Sequence, residues 1–108
     1  MVTKTSERLC FMMTLVDGQE AEYERRHREL WPEMLAALTE AGYTNYTLFR
    51  SGLTVIGYVE CTPDVKAATA CMAANPVNDR WNESFVGIIE PAAPGDYTVE
   101  LTELWHID

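Results

Sequence analysis

The segment that most constrains the fold is an eight-residue apolar run, Leu9–Val16, which reads Leu-Cys-Phe-Met-Met-Thr-Leu-Val. Its length and composition predict a β-strand. The two alternating sets are both apolar: Leu9, Phe11, Met13 and Leu15 on one side, and Cys10, Met12 and Val16 on the other. Such a strand must be covered on both faces. In a chain of 108 residues, helices can cover one face, and we expect a second subunit to cover the other.

The remaining elements follow from turn and cap signals. Asp17-Gly18 leads into a helix from about Gln19 to Ala41, which Pro32 should kink or restart near Trp31 and which Gly42 should end. We then predict a strand at Tyr43–Arg50, a turn at Ser51-Gly52 and a strand at Leu53–Cys61. The next helix should be capped by Thr62, with Pro63 as its first residue, and run to about Ala74. Asn75-Pro76 repeats this cap and opens a helix from about Val77 to Ile89, and the last strand is expected at Tyr97–Ile107.

This order, βαββαβ with the second helical unit broken in two, predicts an α+β protein of the ferredoxin-like plan. It has an antiparallel sheet with helices on one face. We expect residues 1–108 to form a single domain. The bare sheet face should pack against a second copy, giving a homodimer of the dimeric α/β barrel type. The fold by itself does not identify a chemistry.

Composition excludes several classes of partner. The net charge of −9 argues against binding to nucleic acid or to an anionic membrane surface, and it favours a neutral ligand. No apolar run approaches the ~20 residues that span a bilayer. The start, Met1–Arg8, is polar and lacks an apolar signal core, and the three cysteines form no CxxC pair. We therefore expect a cytoplasmic protein.

A histidine occupies the apolar face of the first predicted helix. At about 100° per residue, one stripe contains Tyr23, His27, Leu30, Met34 and Leu38. With an unperturbed pKa of about 6.5, His27 is well matched to proton transfer near neutrality. The structural alternative is a core histidine that is hydrogen-bonded to backbone. The neighbouring Arg25–Arg28 cluster, interleaved with glutamates, is typical of a solvated, salt-bridged face.

The rest of the chain offers few other catalytic groups. It contains no GxGxxG, Walker, HExxH or GxSxG motif, and its cysteines lack zinc spacing, so we expect no metal and no cofactor. Aromatic residues that could surround His27 are Tyr23, Trp31, Tyr46 and Trp81, each of which could equally be a core residue. Aromatic faces with a few polar groups are typical of a site for a small sugar. The second histidine, His106, is interpreted as structural.

Three segments together resemble the L-rhamnose mutarotase family: Tyr23-Glu-Arg-Arg-His27-Arg-Glu-Leu-Trp31-Pro32-Glu33, Gly42-Tyr-Thr-Asn45-Tyr46 and Asn78-Asp79-Arg80-Trp81. The family's first segment runs Tyr-x-Arg-Arg-His-x-x-x-Trp-Pro-Glu and is the specific motif. The ending Leu101–Asp108 is also similar to the family's C-terminus.

The resemblance implies a dimeric ferredoxin-like enzyme that interconverts the α and β anomers of L-rhamnose without a cofactor. It assigns His27 as the catalytic residue and Tyr23, Tyr46 and Trp81 as substrate-binding residues. Where the family has a Trp-Trp pair, this chain has Trp81-Asn82, so an amide replaces a stacking surface. We interpret Asn82 as a further sugar-binding residue, and its presence leaves the preferred monosaccharide open.

Two alternatives to this function remain at the level of sequence. The first is a small oxygenase of the dimeric α/β barrel type, with or without a cofactor. The second is a sugar-binding module without catalytic activity, in which His27 only donates a hydrogen bond.

Overall fold

The computed structural model describes residues 6–108. In chain order its elements are β1 (Glu7–Leu15), α1 (Glu20–Arg28), α2 (Pro32–Ala41), β2 (Tyr43–Ser51), β3 (Thr54–Cys61), α3 (Val65–Ala73), α4 (Pro76–Glu83), β4 (Ile89–Glu90) and β5 (Val99–Leu101). Most of the polar start considered above, residues 1–5, lies outside the described residues. None of the helices in the described range is long and apolar enough to cross a membrane.

All strands pair in the antiparallel sense. The sheet order is β2-β3-β1, and β4 and β5 share the outer edge of β1. The two central strands pair from Glu7↔Cys61 to Thr14↔Thr54. The first and third strands are thus central, and the last strands return beside the first. This arrangement confirms the predicted α+β, ferredoxin-like fold.

The helices cover one face of the sheet and form the core with it. On β3 the alternate positions from Val55 to Cys61 are buried, as expected for a strand packed on one side. Leu15 and Val55 pack with Tyr23 of α1 and with Phe85, which follows α4. Two further clusters join α2 to α3 and α3 to β3. The cavity described below lies between these helices and the sheet.

The predicted break in the first helix is confirmed. The helix α1 ends at Arg28, and α2 restarts with Pro32 as its first residue, where a missing N–H costs nothing. Gly42 ends α2 with a φ of 98°, a conformation that glycine adopts without steric cost. The break therefore separates α1, which carries His27, from α2.

The predicted start of α3 was wrong. Thr62 and Pro63 precede the helix, and the cap is Asp64, whose carboxylate accepts the backbone N–H of Ala67 at 2.7 Å. An aspartate carboxylate in this position also interacts favourably with the helix dipole. At α4 the prediction is confirmed, since the Asn75 side chain accepts the N–H of Val77 and Pro76 is the first helical residue.

The predicted end of α4 near Ile89 was also wrong, because the helix stops at Glu83. The following apolar residues enter the core instead: Phe85 and Ile88 are buried, and Gly87 turns the chain with a φ of 86°. Ile89 then pairs with Leu15 as part of β4. Burial of Phe85 and Ile88 and pairing of Ile89 with the edge of β1 therefore replace further turns of the helix.

The last strand is shorter than the predicted Tyr97–Ile107. Only Val99–Leu101 pair, opposite Cys10–Met12. Beyond them a side chain holds the tail, because the Arg8 guanidinium binds the Glu103 carboxylate through two hydrogen bonds of 2.8 and 3.0 Å. The alternating apolar residues Leu104, Trp105 and Ile107 are exposed, so within the described chain nothing fixes them as a strand.

Gly57 provides a test of the packing under the cavity. A Cβ at this position would lie 2.2 Å from Cζ of Phe11, its partner across β1 and β3. We predict that Gly57→Ala lowers the free energy of unfolding by about 1–3 kcal/mol, the usual cost of overpacking. Chemical denaturation measures this change.

The matched control for that measurement is the double variant Gly57→Ala/Phe11→Leu. A smaller side chain at position 11 should recover part of the loss, so the two substitutions should be non-additive. Strict additivity would contradict the proposed contact between the ring and the glycine.

Candidate active site

The five residues singled out from the sequence lie around one cavity. It has a volume of about 860 Å³ and is lined by Tyr23 and His27 from α1, Tyr46 from β2, and Trp81 and Asn82 from α4, among others. Three separate elements therefore converge on one space between the sheet and the helices. The volume is within the range of small-molecule sites, which is about 300–1,000 Å³.

Helix α1 places Tyr23 and His27 one turn apart. Their rings stack with centroids 4.3 Å apart and planes inclined by 30°. Tyr23 is only 4% exposed, and its hydroxyl donates to the thioether sulfur of Met13 at 3.8 Å. Burial raises the pKa of Tyr23 well above its usual value. The phenol therefore stays protonated and offers a hydrogen-bond donor, while its sulfur acceptor is a weak one.

The hydrogen bonds of His27 define its tautomer. Nδ1 lies 2.9 Å from the backbone carbonyl oxygen of Tyr23. Because a carbonyl oxygen only accepts, Nδ1 must carry the hydrogen, and in the neutral imidazole Nε2 then carries the free lone pair. Within residues 6–108, Nε2 has no hydrogen-bond partner. The ring is thus oriented by the backbone and keeps its basic nitrogen available.

Burial also sets the charge state of His27. Partial burial lowers the pKa of His27 below its ordinary 6.5, and the hydrogen bond to Tyr23 opposes that shift in part. The imidazole is therefore neutral at pH 7, the state required of a base. The backbone bond expected of a core histidine is present, yet the residue also lines the cavity, so the structural and catalytic interpretations are compatible.

Two further aromatic rings pack beside the imidazole. Trp81 meets it edge to face with centroids 5.4 Å apart, and Phe85 lies 5.5 Å away. The Trp31 ring in turn meets the Trp81 ring edge to face, with centroids 5.1 Å apart. Phe85 was missed at the level of sequence, although its position four residues after Trp81 could have indicated a shared face. Together these rings keep water away from one side of His27.

Tyr46 reaches the cavity because β2 contains a bulge. The pairing with β3 shifts by one residue between Thr44 and Thr47, and Asn45 has a positive φ of 49°. The Asn45 amide donates to the Glu60 carboxylate at 3.0 Å. Because of the extra residue, the side chains that face the helices are at odd-numbered positions before the bulge, as at Tyr43, and at even-numbered positions after it, as at Tyr46. Sequence alternation alone could not reveal this switch.

The Tyr46 side chain is positioned for contact with a ligand. It is 41% exposed as a whole, but burial around its hydroxyl raises the pKa of Tyr46. Its ring contacts Phe11 and Tyr43 at centroid distances of 6.2 and 5.8 Å. In the described part of the chain the hydroxyl has no hydrogen-bond partner. It is therefore a protonated group available to a polar ligand.

Helix α4 contributes two amides next to Trp81. Asn82 is exposed and lines the cavity, and so does Asn78, one helical turn earlier. Asn78 opens the Asn78–Trp81 segment noted in the sequence, but the sequence pattern assigned no role to its side chain. The α4 face therefore combines one indole with two side chains that both donate and accept hydrogen bonds.

The other candidate groups lie elsewhere. His106 contacts Asp108 at 2.8 Å and Arg8 at 3.4 Å, and it does not line the cavity. Among residues 6–108, no group of three or more His, Cys, Asp or Glu side chains is arranged to hold a metal ion. The chemistry available at the cavity is proton transfer at His27, hydrogen bonding by phenols and amides, and packing against aromatic faces.

Comparison with known proteins gives a consistent result. The family model described as L-rhamnose mutarotase matches residues 8–107. A relative from Opitutus terrae named L-rhamnose mutarotase is 36% identical over 105 residues, covering 94% of this chain and 98% of that protein. A relative of the same name from Oceanobacillus iheyensis is 33% identical over 101 residues, covering 91% and 95%.

The similarity extends to a solved structure. The crystal structure of an L-rhamnose mutarotase from Formosa agariphila matches with a TM-score of 0.80 and 26% sequence identity. The match covers 94% of this chain and 99% of that chain. Sequence and fold therefore agree over nearly the full length.

The environment of His27 predicts the direction of its pKa shift and its neutral tautomer. Because burial lowers its pKa, the imidazole should titrate below 6.5, with the hydrogen on Nδ1 in the neutral form. The folded protein then binds this proton less readily than the unfolded chain does. The contribution of His27 to stability is complete above pH 6.5 and decreases as the pH falls through the folded-state pKa.

Proton and nitrogen NMR of the imidazoles measures both the pKa and the tautomer. The chain has only two histidines, so a His106→Gln variant assigns the signals. A His27 pKa above 6.5, or a neutral form protonated on Nε2, would contradict the geometry.

Proposed function

Because this chain belongs to the L-rhamnose mutarotase family, we propose that it is a sugar mutarotase, which interconverts the α and β anomers of L-rhamnose or a related deoxyaldose by cofactor-free acid/base ring opening. The protein is accordingly an isomerase. The observation that carries the proposal is the neutral His27, fixed through Nδ1 and lining a cavity with aromatic and amide walls. This family membership favours the mutarotase over the oxygenase and over the binding module.

The reaction requires two proton transfers. A base removes the proton of the anomeric hydroxyl, and the electron pair left on O1 forms the C1=O1 double bond. The C1–O5 bond breaks, its electron pair stays on O5, and O5 takes up a proton. The open aldehyde rotates about its C1–C2 bond and recloses on the other face by the reverse steps. No electrons leave the sugar, so acid/base catalysis is sufficient, typically contributing about 10²–10⁴-fold.

His27 is assigned the proton transfer at the anomeric hydroxyl. Its Nε2 lone pair is free and its pKa lies below 6.5, so it is deprotonated at neutral pH and can accept the proton in the first step. The imidazolium formed is stabilised by the Tyr23 carbonyl bound to Nδ1. The same group returns the proton on ring closure.

Tyr23 or a water molecule completes the proton circuit at the ring oxygen. The Tyr23 phenol stays protonated, and its one hydrogen bond to the described residues goes to the Met13 sulfur, so a sugar oxygen would be a better acceptor. Tyr46, Trp81 and Asn82 would hold the sugar, with Trp81 packing against its apolar C–H surface and Tyr46 and Asn82 binding hydroxyls.

The test is saturation-transfer NMR on the anomeric protons of L-rhamnose and of L-fucose. Wild-type protein should accelerate exchange, and His27→Ala should reduce the acceleration by about 10²–10⁴-fold, since the acid/base is lost. His106→Ala is the matched control, as it removes the only other imidazole and should leave the rate unchanged.

Each outcome has a distinct meaning. Acceleration that persists in His27→Ala would contradict the role assigned to His27. Binding without acceleration by the wild-type protein would favour the sugar-binding module, and consumption of oxygen would favour the oxygenase.

We further propose that residues 1–108 act as one mutarotase domain in a cytoplasmic homodimer. The outer face of the sheet carries an apolar row, one residue per strand, formed by Phe49, Ile56, Met12 and Val99 in consecutive pairing register. Phe49 is 61% and Val99 44% exposed. An exposed apolar row across a sheet face is expected to be covered, and a second copy of the sheet would complete the α/β barrel.

Sedimentation velocity tests the dimer with two substitutions on the same strand. Ile56→Glu places a charge in the apolar row and should give a monomer. Thr54→Glu is the control, because it lies on the same face in a row of threonine and serine, with Thr14 and Ser51 as partners. Wild-type protein that is monomeric at micromolar concentration would contradict the dimer.

A further inference from the structure

Arg26 differs from the other arginines of its helix. The sequence predicts a solvated face for the Arg25–Arg28 cluster. Arg25 fits this, since among residues 6–108 its side chain binds only Glu22 of α1 and Glu29, the C-cap residue of that helix. The Arg26 side chain instead reaches beyond α1. Its Nη1 donates to the backbone carbonyl of Ser84, the C-cap residue that follows α4.

Three contacts hold the Arg26 side chain in place. Its Nε donates to the Glu22 carboxylate at 2.8 Å, Nη1 donates to the Ser84 carbonyl, and its guanidinium carbon lies 5.6 Å from the centroid of the Phe85 ring. Only 30% of the side chain is exposed. Arg25 and Arg26 together lower the pKa of Glu22 to about 2, so this carboxylate is charged throughout the working pH range.

The far end of this contact belongs to the wall of the site. The Ser84 hydroxyl donates to the Trp81 carbonyl at 2.6 Å. Ser84 therefore links the Arg26 guanidinium to the backbone of Trp81 through two hydrogen bonds. Phe85 is 4% exposed and contacts the rings of Tyr23, His27 and Trp81 at 5.6, 5.5 and 4.8 Å. The guanidinium therefore joins the two segments whose side chains meet around the imidazole.

Helix α1 needs such an attachment. It has nine residues and no side-chain hydrogen bond at its N-cap, and Tyr23 is the one residue of the helix that is buried. A helix of this length is marginal in water and relies on tertiary contacts for its position. A cation at the C-terminal carbonyls of α4 also interacts favourably with that helix's dipole.

We infer that Arg26 is a positioning residue for the mutarotase reaction, holding α1 against Ser84 and Phe85 so that the His27 imidazole stays fixed in the cavity. The inference rests on the proposed function of His27. Arg26 itself does not line the cavity. Because a displacement of about 1 Å can cost about 10²-fold in rate, loss of this attachment should reduce catalysis more than sugar binding.

The experiment compares Arg26→Met with Arg25→Met in the full chain. Both substitutions remove a charge that binds Glu22, but only position 26 reaches Ser84 and Phe85. We expect Arg26→Met to lower kcat by about 10- to 100-fold with KM changed less than threefold, and Arg25→Met to stay within twofold of wild type. Arg26→Lys keeps the charge but has a single donor nitrogen, so its kcat should be intermediate. It also serves if Arg26→Met does not fold.

A second measurement separates this inference from the proposed function. NMR of the imidazole should show the cross-peak between His27 and Phe85 ring protons weakened, and the His27 pKa shifted, in Arg26→Met and not in Arg25→Met. These signals do not depend on turnover, so they remain decisive if the wild-type protein fails to accelerate anomer exchange. Equal kcat values and unchanged His27 signals in the two methionine variants would overturn the positioning role.

Discussion

The hydrogen bond from His27 Nδ1 to the Tyr23 carbonyl is the contact on which the site depends. Its acceptor is a backbone oxygen one turn earlier in the same helix, so the ring orientation follows from helical geometry and not from a distant partner. It places the basic lone pair on Nε2, while burial keeps the ring neutral near pH 7. The stacked Tyr23 ring and the rings of Trp81 and Phe85 surround the imidazole. One local contact and three aromatic neighbours thereby convert a residue of the apolar helix face into a candidate acid/base.

Irregularities of the sheet build the opposite wall of the cavity. Without the bulge at Asn45, an inward Tyr43 would be followed by inward residues 45 and 47, and Tyr46 would face away from the helices. The bulge turns Tyr46 and Leu48 inward together. Opposite them, the absence of a side chain at Gly57 leaves room for the Phe11 ring, which Tyr46 meets edge to face. The position of the Tyr46 hydroxyl thus depends on one extra residue and one missing Cβ.

The sequence predicts those features of the fold and of the site that depend on local chemistry. Pro32 and Gly42 mark real helix boundaries, and the apolar helix stripe correctly placed Tyr23 and His27 on the inner face. The predictions were wrong where tertiary contacts outweigh the local pattern. Phe85 and Ile88 were predicted in a helix but pack in the core beyond its end. The alternating residues after Leu101 were predicted in a strand but do not pair with β1. Arg26 was missed for the same reason, since its partner is 58 residues away in the chain. Periodicity along one segment carries no information about such contacts.

The catalytic role proposed for His27 requires its Nε2 atom to lie against the reacting oxygens of the sugar. A crystal structure of the protein with L-rhamnose would show whether it does. We expect Nε2 to lie within about 2.6–3.2 Å of the anomeric or ring oxygen, with Nδ1 still hydrogen-bonded to the Tyr23 carbonyl. We also expect Trp81 to pack against the C–H surface of the sugar. A sugar bound in the cavity with both oxygens beyond hydrogen-bond reach of Nε2, and with no bridging water, would contradict the role of His27.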